Sequence, residues 1–163
     1  MKIYGVTGWK NCGKTGLMER LVAEFTTRGL TVSTLKNAHH TTDVDQPGTD
    51  SHRHREAGAS EVVLASPNRV AIMQELRGAE VPSFTELLSR LRPVDLVLVE
   101  GFKREAHPKI EAYRTAAGQP LIAPENSSIR AVASDVQLHL DLPVFDLDDT
   151  KAIADFIATE LAL

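Results

Sequence analysis

The sequence feature that most constrains the fold is a glycine-rich stretch close to the start of the chain. Residues 8–15 read Gly-Trp-Lys-Asn-Cys-Gly-Lys-Thr and match the pattern G-x-x-x-x-G-K-[ST] of a phosphate-binding loop, or P-loop. Residues 2–7 are mostly apolar and predict a strand, and the apolar residues after the motif recur at helical spacing until Gly29. A strand, a glycine-rich loop and a helix in this order form the P-loop unit, so we expect the chain to bind a nucleotide.

The residue types of the motif fit this chemistry. Gly8 and Gly13 allow loop dihedrals that other residues resist, so that backbone N–H groups can approach a phosphate closely. Lys14 can reach the β- and γ-phosphates, and the Thr15 hydroxyl can join the coordination shell of Mg²⁺. A glycine-rich turn without a ligand would leave Lys14 and Thr15 without a reason. The predicted nucleotide-binding residues of the motif are Gly8, Trp9, Lys10, Asn11, Cys12, Gly13, Lys14, Thr15 and Gly16.

Length, charge and cysteine content limit the class of protein. The 163 residues predict a single P-loop nucleotide-binding domain over residues 1–163. A net charge of −4 without a basic stripe argues against a nucleic-acid partner. Cys12 is the only cysteine, no apolar run reaches transmembrane length, and a strand begins at the first residues. We therefore expect a cytoplasmic protein that has no disulfide, no signal peptide and no membrane partner.

A second informative stretch, residues 95–101, reads Asp-Leu-Val-Leu-Val-Glu-Gly. Its four consecutive aliphatic residues predict a strand that is buried on both faces, as in a parallel sheet. The strand ends in Glu100, which occupies the place of a Walker B acid and is a predicted magnesium ligand together with Thr15. An ordinary strand with a solvent-facing acid at its end is the alternative. Lys36, at the end of a predicted strand over 31–36, is expected at the same functional edge of the sheet.

The remaining elements predict the fold class. Residues 61–65 and 69–76 read as two strands around a Ser-Pro-Asn turn, which makes a hairpin. A short helix is predicted over 51–57 with Asp50 as its N-cap. Strands otherwise alternate with helices along the chain. Together these patterns predict an α/β, three-layer P-loop NTPase fold with a mostly parallel sheet and an inserted β-hairpin.

The polar loop over residues 38–50 contains Asp43, Asp45 and Asp50 close to the predicted nucleotide edge. One of these acids could complete the coordination shell of Mg²⁺, because Mg²⁺ prefers oxygen ligands. Asp45 is the predicted magnesium ligand among them. A solvated acidic loop is the alternative. Four histidines could suggest a zinc or iron site, but their spacing matches no established ligand pattern. They are His39, His40, His52 and His54.

Asp135 follows a predicted strand in the second half of the sheet. A carboxylate at this place could accept hydrogen bonds from guanine N1–H and N2–H₂, which adenine cannot donate. The Asn-Lys-x-Asp guanine motif is absent from the sequence, and a simple turn aspartate is the alternative. Asp135 is therefore a predicted nucleotide-binding residue, and GTP with Mg²⁺ is the predicted ligand.

Several of these stretches together resemble a known family, the molybdopterin-guanine dinucleotide biosynthesis adaptor MobB. The resemblance covers the P-loop, the loop 39–51, the Ala-Gly-Ala of 57–59, the stretch 95–103 with its Val-Glu-Gly-Phe-Lys run, and the Ala-Val-Ala-Ser-Asp of 131–135. It implies a GTP-binding homodimer that assists the molybdenum cofactor guanylyltransferase, which attaches a guanosine monophosphate unit to molybdopterin. It also implies at most a weak GTPase activity, and molybdopterin itself is a further candidate partner.

Two other functional classes remain open at this point. A P-loop small-molecule kinase would need a lid rich in arginine, and Arg53, Arg55 and Arg69 could supply one. A GTPase that delivers a metal or a cofactor would give the histidines a role. An efficient GTPase also needs a residue that places the attacking water, and no glutamine near Gly101 is positioned for this. The sequence therefore favours the adaptor, and we predict no catalytic residue.

The expected dimer interface is the hairpin region, residues 61–76.

Overall fold

The structure, a computed structural model, describes residues 1–38 and 43–163 and divides into two compact units. The first unit comprises residues 1–37 and 84–163, and the second comprises residues 38–83. In chain order the elements are β1 (Lys2–Thr7), α1 (Lys14–Thr27), β2 (Val32–Lys36), α2 (Asp50–Glu56), β3 (Glu61–Ser66), β4 (Arg69–Gln74), α3 (Phe84–Ser89), β5 (Leu96–Glu100), β6 (Lys109–Tyr113), β7 (Ile129–Ser134), β8 (Val144–Asp146) and α4 (Thr150–Leu161). Two short 3-10 helices, Thr115–Ala117 and Ala123–Glu125, lie between β6 and β7.

The first unit is built on a six-stranded sheet with the order β2-β5-β1-β6-β7-β8. Every neighbouring pair in it is parallel, so the carboxyl ends of all six strands lie along one edge. β5 is buried along its whole length, as its run of aliphatic residues predicts. Helices α1 and α4 bury their apolar faces on one side of this sheet, where Leu17, Leu21 and Ile153 are fully buried.

The opposite face of β6 carries two fully buried charged residues, Lys109 and Glu111. The Lys109 ammonium donates to the Glu105 carbonyl and to Ser128 Oγ. The Glu111 carboxylate accepts hydrogen bonds from the backbone N–H groups of Ile122 and Ala123 at 2.8–3.0 Å. Burial raises the pKa of Glu111, while these hydrogen bonds oppose the rise. Both charges therefore fasten the segment 103–128 to the sheet, because burial without partners is costly.

The second unit contains α2 and an antiparallel hairpin of β3 and β4, which form a two-stranded sheet of their own. The N-cap of α2 is Thr49 and not Asp50, which is already the first helical residue. Thr49 has an extended backbone, and its hydroxyl accepts from the His52 N–H at 3.4 Å. The prediction of Asp50 as the cap was therefore wrong by one residue, since either side chain satisfies the cap pattern in the sequence.

The predicted fold class is confirmed by the six parallel strands, the flanking helices and the hairpin inserted between β2 and β5. The prediction that residues 1–163 form one domain stays a prediction beside the two compact units. Among the residues that the structure describes, no helix has the length and apolarity needed to cross a membrane.

Candidate functional site

The P-loop connects β1 to α1 at the carboxyl edge of the sheet and follows an unusual backbone path. Gly8, Asn11 and Gly13 have positive φ angles of 139°, 66° and 88°. A Cβ atom on Gly8 would lie 2.4 Å from the carbonyl oxygen of Ala112 on β6. Glycine at position 8 therefore lets the loop lie directly against the neighbouring strand. The loop then leads into the first turn of α1, whose unpaired N–H groups favour an anion.

Lys14, the motif lysine, folds back over this loop. Its Nζ donates a hydrogen bond of 2.6 Å to the carbonyl oxygen of Trp9. Partial burial lowers the pKa of Lys14, and the nearby ammonium groups of Lys103 and Lys36 lower it further, while Glu100 raises it. Three lysines therefore lie close together, and such a cluster of positive charge is typical of a site that binds a polyanion.

Glu100 occupies the place predicted for it at the end of β5, and its side chain is only 11% exposed. Its Oε1 accepts from the Thr15 hydroxyl at 3.3 Å, and its Oε2 lies 3.2 Å from Lys36 Nζ. The structure thus brings together the two predicted magnesium ligands, Thr15 and Glu100. A hydroxyl and a carboxylate are hard oxygen donors, so this pair suits Mg²⁺ held on a phosphate group.

Trp9 ties the P-loop to two other segments of the first unit. Its indole Nε1 donates to the carbonyl oxygen of Pro120 at 2.7 Å, and Lys103 Nζ lies 3.8 Å from its ring centroid. Neither Lys36 nor Lys103 was among the predicted binding residues. The signals that could have found them are the position of Lys36 at the end of β2 and the Val-Glu-Gly-Phe-Lys run that ends in Lys103.

Asp135 follows β7 and therefore lies at the same edge as the P-loop, two strands away from β1. Its Oδ1 accepts hydrogen bonds from the backbone N–H and the hydroxyl of Thr115, at 3.0 and 3.2 Å. These bonds orient an exposed carboxylate at the edge. Its role in reading guanine stays a prediction.

Asp45 is held within the second unit by its own neighbours. Its carboxylate accepts from Ser51 Oγ at 2.9 Å and from Thr49 Oγ1 at 3.2 Å, and it lies 3.4 Å from Arg55. Desolvation raises the pKa of Asp45, but these hydrogen bonds, the Gln46 N–H and the Arg55 charge together leave it lowered. A magnesium role for Asp45 stays a prediction.

Only two of the four histidines lie in the part of the chain that the structure describes. His39 and His40 lie outside the described residues, whereas His52 and His54 lie on α2. Within the part of the chain that is described, no group of three or more His, Cys, Asp or Glu side chains is arranged to hold a metal ion.

Arg55, one of the three arginines considered for a kinase lid, is occupied elsewhere. Its guanidinium makes a bidentate pair with Asp43 at 2.8 Å and donates to Glu75 at 2.7 Å. Its side chain is only 10% exposed. These contacts give Arg55 a structural role between α2 and the segment after the hairpin, so it is not a free phosphate ligand.

The chain is similar to known proteins in sequence and in structure. Residues 3–135 match the family MobB, described as molybdopterin guanine dinucleotide synthesis protein B. A molybdopterin-guanine dinucleotide biosynthesis adapter protein of Escherichia coli (strain K12) is 40% identical over 158 residues, covering 95% of this chain and 90% of that protein. Its counterpart of the same description from Haemophilus influenzae is 41% identical over 157 residues, covering 95% and 86%. A crystal structure of molybdopterin-guanine biosynthesis protein B (mobB) matches with a TM-score of 0.77 and 27% identity, over 98% of this chain and 99% of that one.

The close approach of Gly8 to β6 predicts a large stability difference between two glycine substitutions. We expect Gly8→Ala to lower the free energy of unfolding by roughly 2–4 kcal/mol, since positive φ strain adds to the clash with Ala112. Gly29→Ala is the matched control: its φ is 86°, and among the described residues no outside atom lies within 4 Å of its added Cβ. The control should cost only about 1 kcal/mol. Urea denaturation followed by far-UV circular dichroism measures both, and equal costs would contradict the packing described for Gly8.

Proposed function

The chain belongs to the MobB family of molybdopterin-guanine dinucleotide biosynthesis adapter proteins, and we propose that it works in this pathway by binding GTP with Mg²⁺. Lys14, Thr15 and Glu100 meet where β1 and β5 end and α1 begins, and this arrangement supports the proposal. Each of these side chains bonds to another part of the same site. None is needed to fill the hydrophobic core, which supports a role toward a ligand.

Binding would use groups that the fold already holds in place. The backbone N–H groups of the P-loop and the first turn of α1 bind the phosphates, and Lys14 exchanges the carbonyl oxygen of Trp9 for phosphate oxygens. Thr15 and Glu100 would hold Mg²⁺, which neutralises part of the phosphate charge. The side chain of Glu100 is mostly buried, which fixes the direction of its carboxylate. Metal binding would therefore require little rearrangement of this side chain.

The adaptor role is favoured over catalysis by what surrounds Glu100. The next residues are Gly101 and Phe102, with positive φ angles of 89° and 46°, and they offer no side chain to place an attacking water. The engagement of Arg55 by Asp43 and Glu75 removes one arginine from a kinase lid. We therefore propose that the chain is at most a weak GTPase. Its function would be to contact a protein partner and not to modify a substrate.

The preference for guanine rests on Asp135 in this proposal. Thr115 holds one oxygen of its carboxylate at the carboxyl edge, which leaves the second oxygen for a donor on a base. Guanine N1–H and N2–H₂ are such donors, and a site left with an unpaired polar group rejects adenine. Titration of Asp135→Asn with GTP and ATP tests this assignment, and an unchanged preference between the two nucleotides would move base recognition elsewhere.

The proposed partners are a second copy of the chain, the molybdenum cofactor guanylyltransferase and molybdopterin, all in the cytoplasm. The enzyme uses GTP to complete the cofactor, so an adaptor that carries GTP belongs beside it. Size-exclusion chromatography of a mixture with that enzyme tests the contact. Separate elution of the two proteins, both with and without GTP, would contradict it.

The hairpin supports the homodimer. Val63 and Ile72 are paired across the hairpin, next to the pair of Ala65 and Val70 on the same face. Val63, Ile72 and Val70 are 58%, 65% and 60% exposed. A two-stranded ribbon is marginal in water and gains stability by covering an apolar face. A second copy presents the same face, as a two-fold interface requires.

Removal of the motif lysine provides the first test of the proposal. We expect Lys14→Ala to weaken binding of GTP with Mg²⁺ by roughly 30- to 150-fold, because at least one hydrogen bond to a charged group is lost. Trp9 is the only tryptophan and lies in the P-loop, so its fluorescence reports the titration. Lys151→Ala, on the exposed side of α4, is the control and should bind as the wild type does.

Glu100→Gln extends this test to the metal. We expect it to reduce nucleotide binding in the presence of Mg²⁺ and to leave the weaker binding in EDTA nearly unchanged, because the carboxylate acts through the ion. An equal loss under both conditions would show that Glu100 only supports the structure. A native far-UV spectrum for Lys14→Ala combined with unaltered affinity for GTP would contradict the proposed site.

The dimer interface predicts a change of mass. We expect the wild type to sediment as a dimer at micromolar concentration and Ile72→Lys to sediment as a monomer, because a lysine charge in an apolar interface is poorly solvated. Val81→Lys is the matched control, since Val81 is 75% exposed but lies outside the hairpin. A monomeric wild type would contradict the homodimer, and a dimer indifferent to Ile72→Lys would place the interface elsewhere.

A further inference from the structure

The Glu100 carboxylate has two different partners, and only one of them belongs to the P-loop. Thr15, the first partner, is the motif hydroxyl on α1. Lys36, the second, lies at the end of β2 and forms an ion pair of 3.2 Å with Oε2. The two side chains differ in exposure, since Lys36 is 56% exposed and Glu100 is 11% exposed. The lysine thus reaches the carboxylate from the solvent side.

The backbone holds Lys36 at this place independently of the ion pair. Lys36 and Glu100 are register partners in the parallel ladder of β2 and β5. The Asn37 N–H donates to the Glu100 carbonyl oxygen at 3.0 Å and extends the ladder past the end of β2. The lysine side chain has a flexible four-carbon stem, so its ammonium can change partner while its Cα stays fixed.

Among the residues that the structure describes, two lysines, Lys14 and Lys36, lie close to the Glu100 carboxylate. Lys103 lies near Lys14 and is also close enough to the Glu111 carboxylate to affect its pKa. In a P-loop the backbone N–H groups and the motif lysine bind the phosphates. The ammonium of Lys36 is outside this motif, and it contacts the same carboxylate that accepts a hydrogen bond from Thr15 on α1.

We propose that Lys36 selects the triphosphate over the diphosphate at this site. The inference rests on the proposed function, because it concerns the same nucleotide site. If Glu100 coordinated a magnesium ion, its ion pair with Lys36 would be broken, and the released ammonium would pair with the γ-phosphate of the triphosphate. A diphosphate has no γ-phosphate, so Lys36 would gain no new partner there. An ion pair with a half-exposed lysine adds little net stability in water, so the exchange is not hindered.

A purely structural role for Lys36 predicts a different result. If Lys36 only oriented Glu100, its loss would weaken binding of GTP and GDP alike, because both nucleotides carry Mg²⁺. Selection of the triphosphate changes the ratio of the two affinities instead. The ratio of dissociation constants for GTP and GDP therefore separates the two roles without any measurement of turnover.

The experiment is isothermal titration of the full chain with GTP and with GDP, each with Mg²⁺ and with EDTA. For Lys36→Met we expect the preference for GTP over GDP with Mg²⁺ to fall by about tenfold, as for the loss of one charged hydrogen bond. The affinity for GDP should stay within about twofold of the wild type, a change too small to represent a lost contact. Lys36→Arg keeps the charge and should retain more of the preference than Lys36→Met. Lys151→Met, an exposed lysine on α4, is the charge-matched control and should leave the ratio unchanged.

Two outcomes overturn the inference and leave the proposed function standing. One is a wild type that binds GTP with Mg²⁺ and a Lys36→Met variant with the same ratio. The other is an equal loss of both nucleotides in that variant. A wild type that binds neither nucleotide overturns the proposed function itself, and the inference falls with it. Circular dichroism of each variant confirms that the comparison is made between folded proteins.

Discussion

The arrangement of the site depends on one buried strand that ends in a carboxylate. The four aliphatic residues of β5 are completely buried, so the strand has a fixed place between β1 and β2. Glu100, the next residue, is therefore delivered to the carboxyl edge with its side chain almost covered. There it joins Thr15 from α1 to Lys36 from β2. Burial of the strand determines where the acid lies, and the acid draws together the polar groups of three elements.

The P-loop meets this acid because of a second constraint, the contact of Gly8 with β6. A backbone that passes so close to Ala112 leaves no room for a side chain, and the positive φ of Gly8 is one that other residues avoid. The loop then turns directly into α1, so Lys14 and Thr15 fall in the first helical turn. The short loop between β1 and α1 thus packs against β6 through Gly8 and also presents the groups proposed to bind phosphate.

The sequence was sufficient for the parts of the site that depend on local pattern. The motif located β1, the loop and the start of α1, and the aliphatic run located β5 and Glu100. The sequence did not predict the contacts between residues that are far apart in the chain. Nothing near Lys109 or Glu111 in the sequence shows that Ser128, Ile122 and Ala123 satisfy their buried charges. For the same reason Lys36 could be placed at the functional edge but not paired with Glu100, and the cap of α2 was assigned one residue too late. The hairpin was predicted because its Ser-Pro-Asn turn and the two apolar runs beside it are local features of the sequence.

We propose that GTP with Mg²⁺ binds at the carboxyl edge formed by the P-loop, the end of β2 and the end of β5. Hydrogen–deuterium exchange of the whole chain, compared with and without GTP and Mg²⁺, tests this proposal because it locates the ligand on the backbone. We expect slower exchange for amides in residues 8–18 and around Lys36 and Glu100, with smaller effects at the distant end of α4. Unchanged exchange in the P-loop at saturating GTP, or protection confined to the amino-terminal ends of the strands, would contradict it.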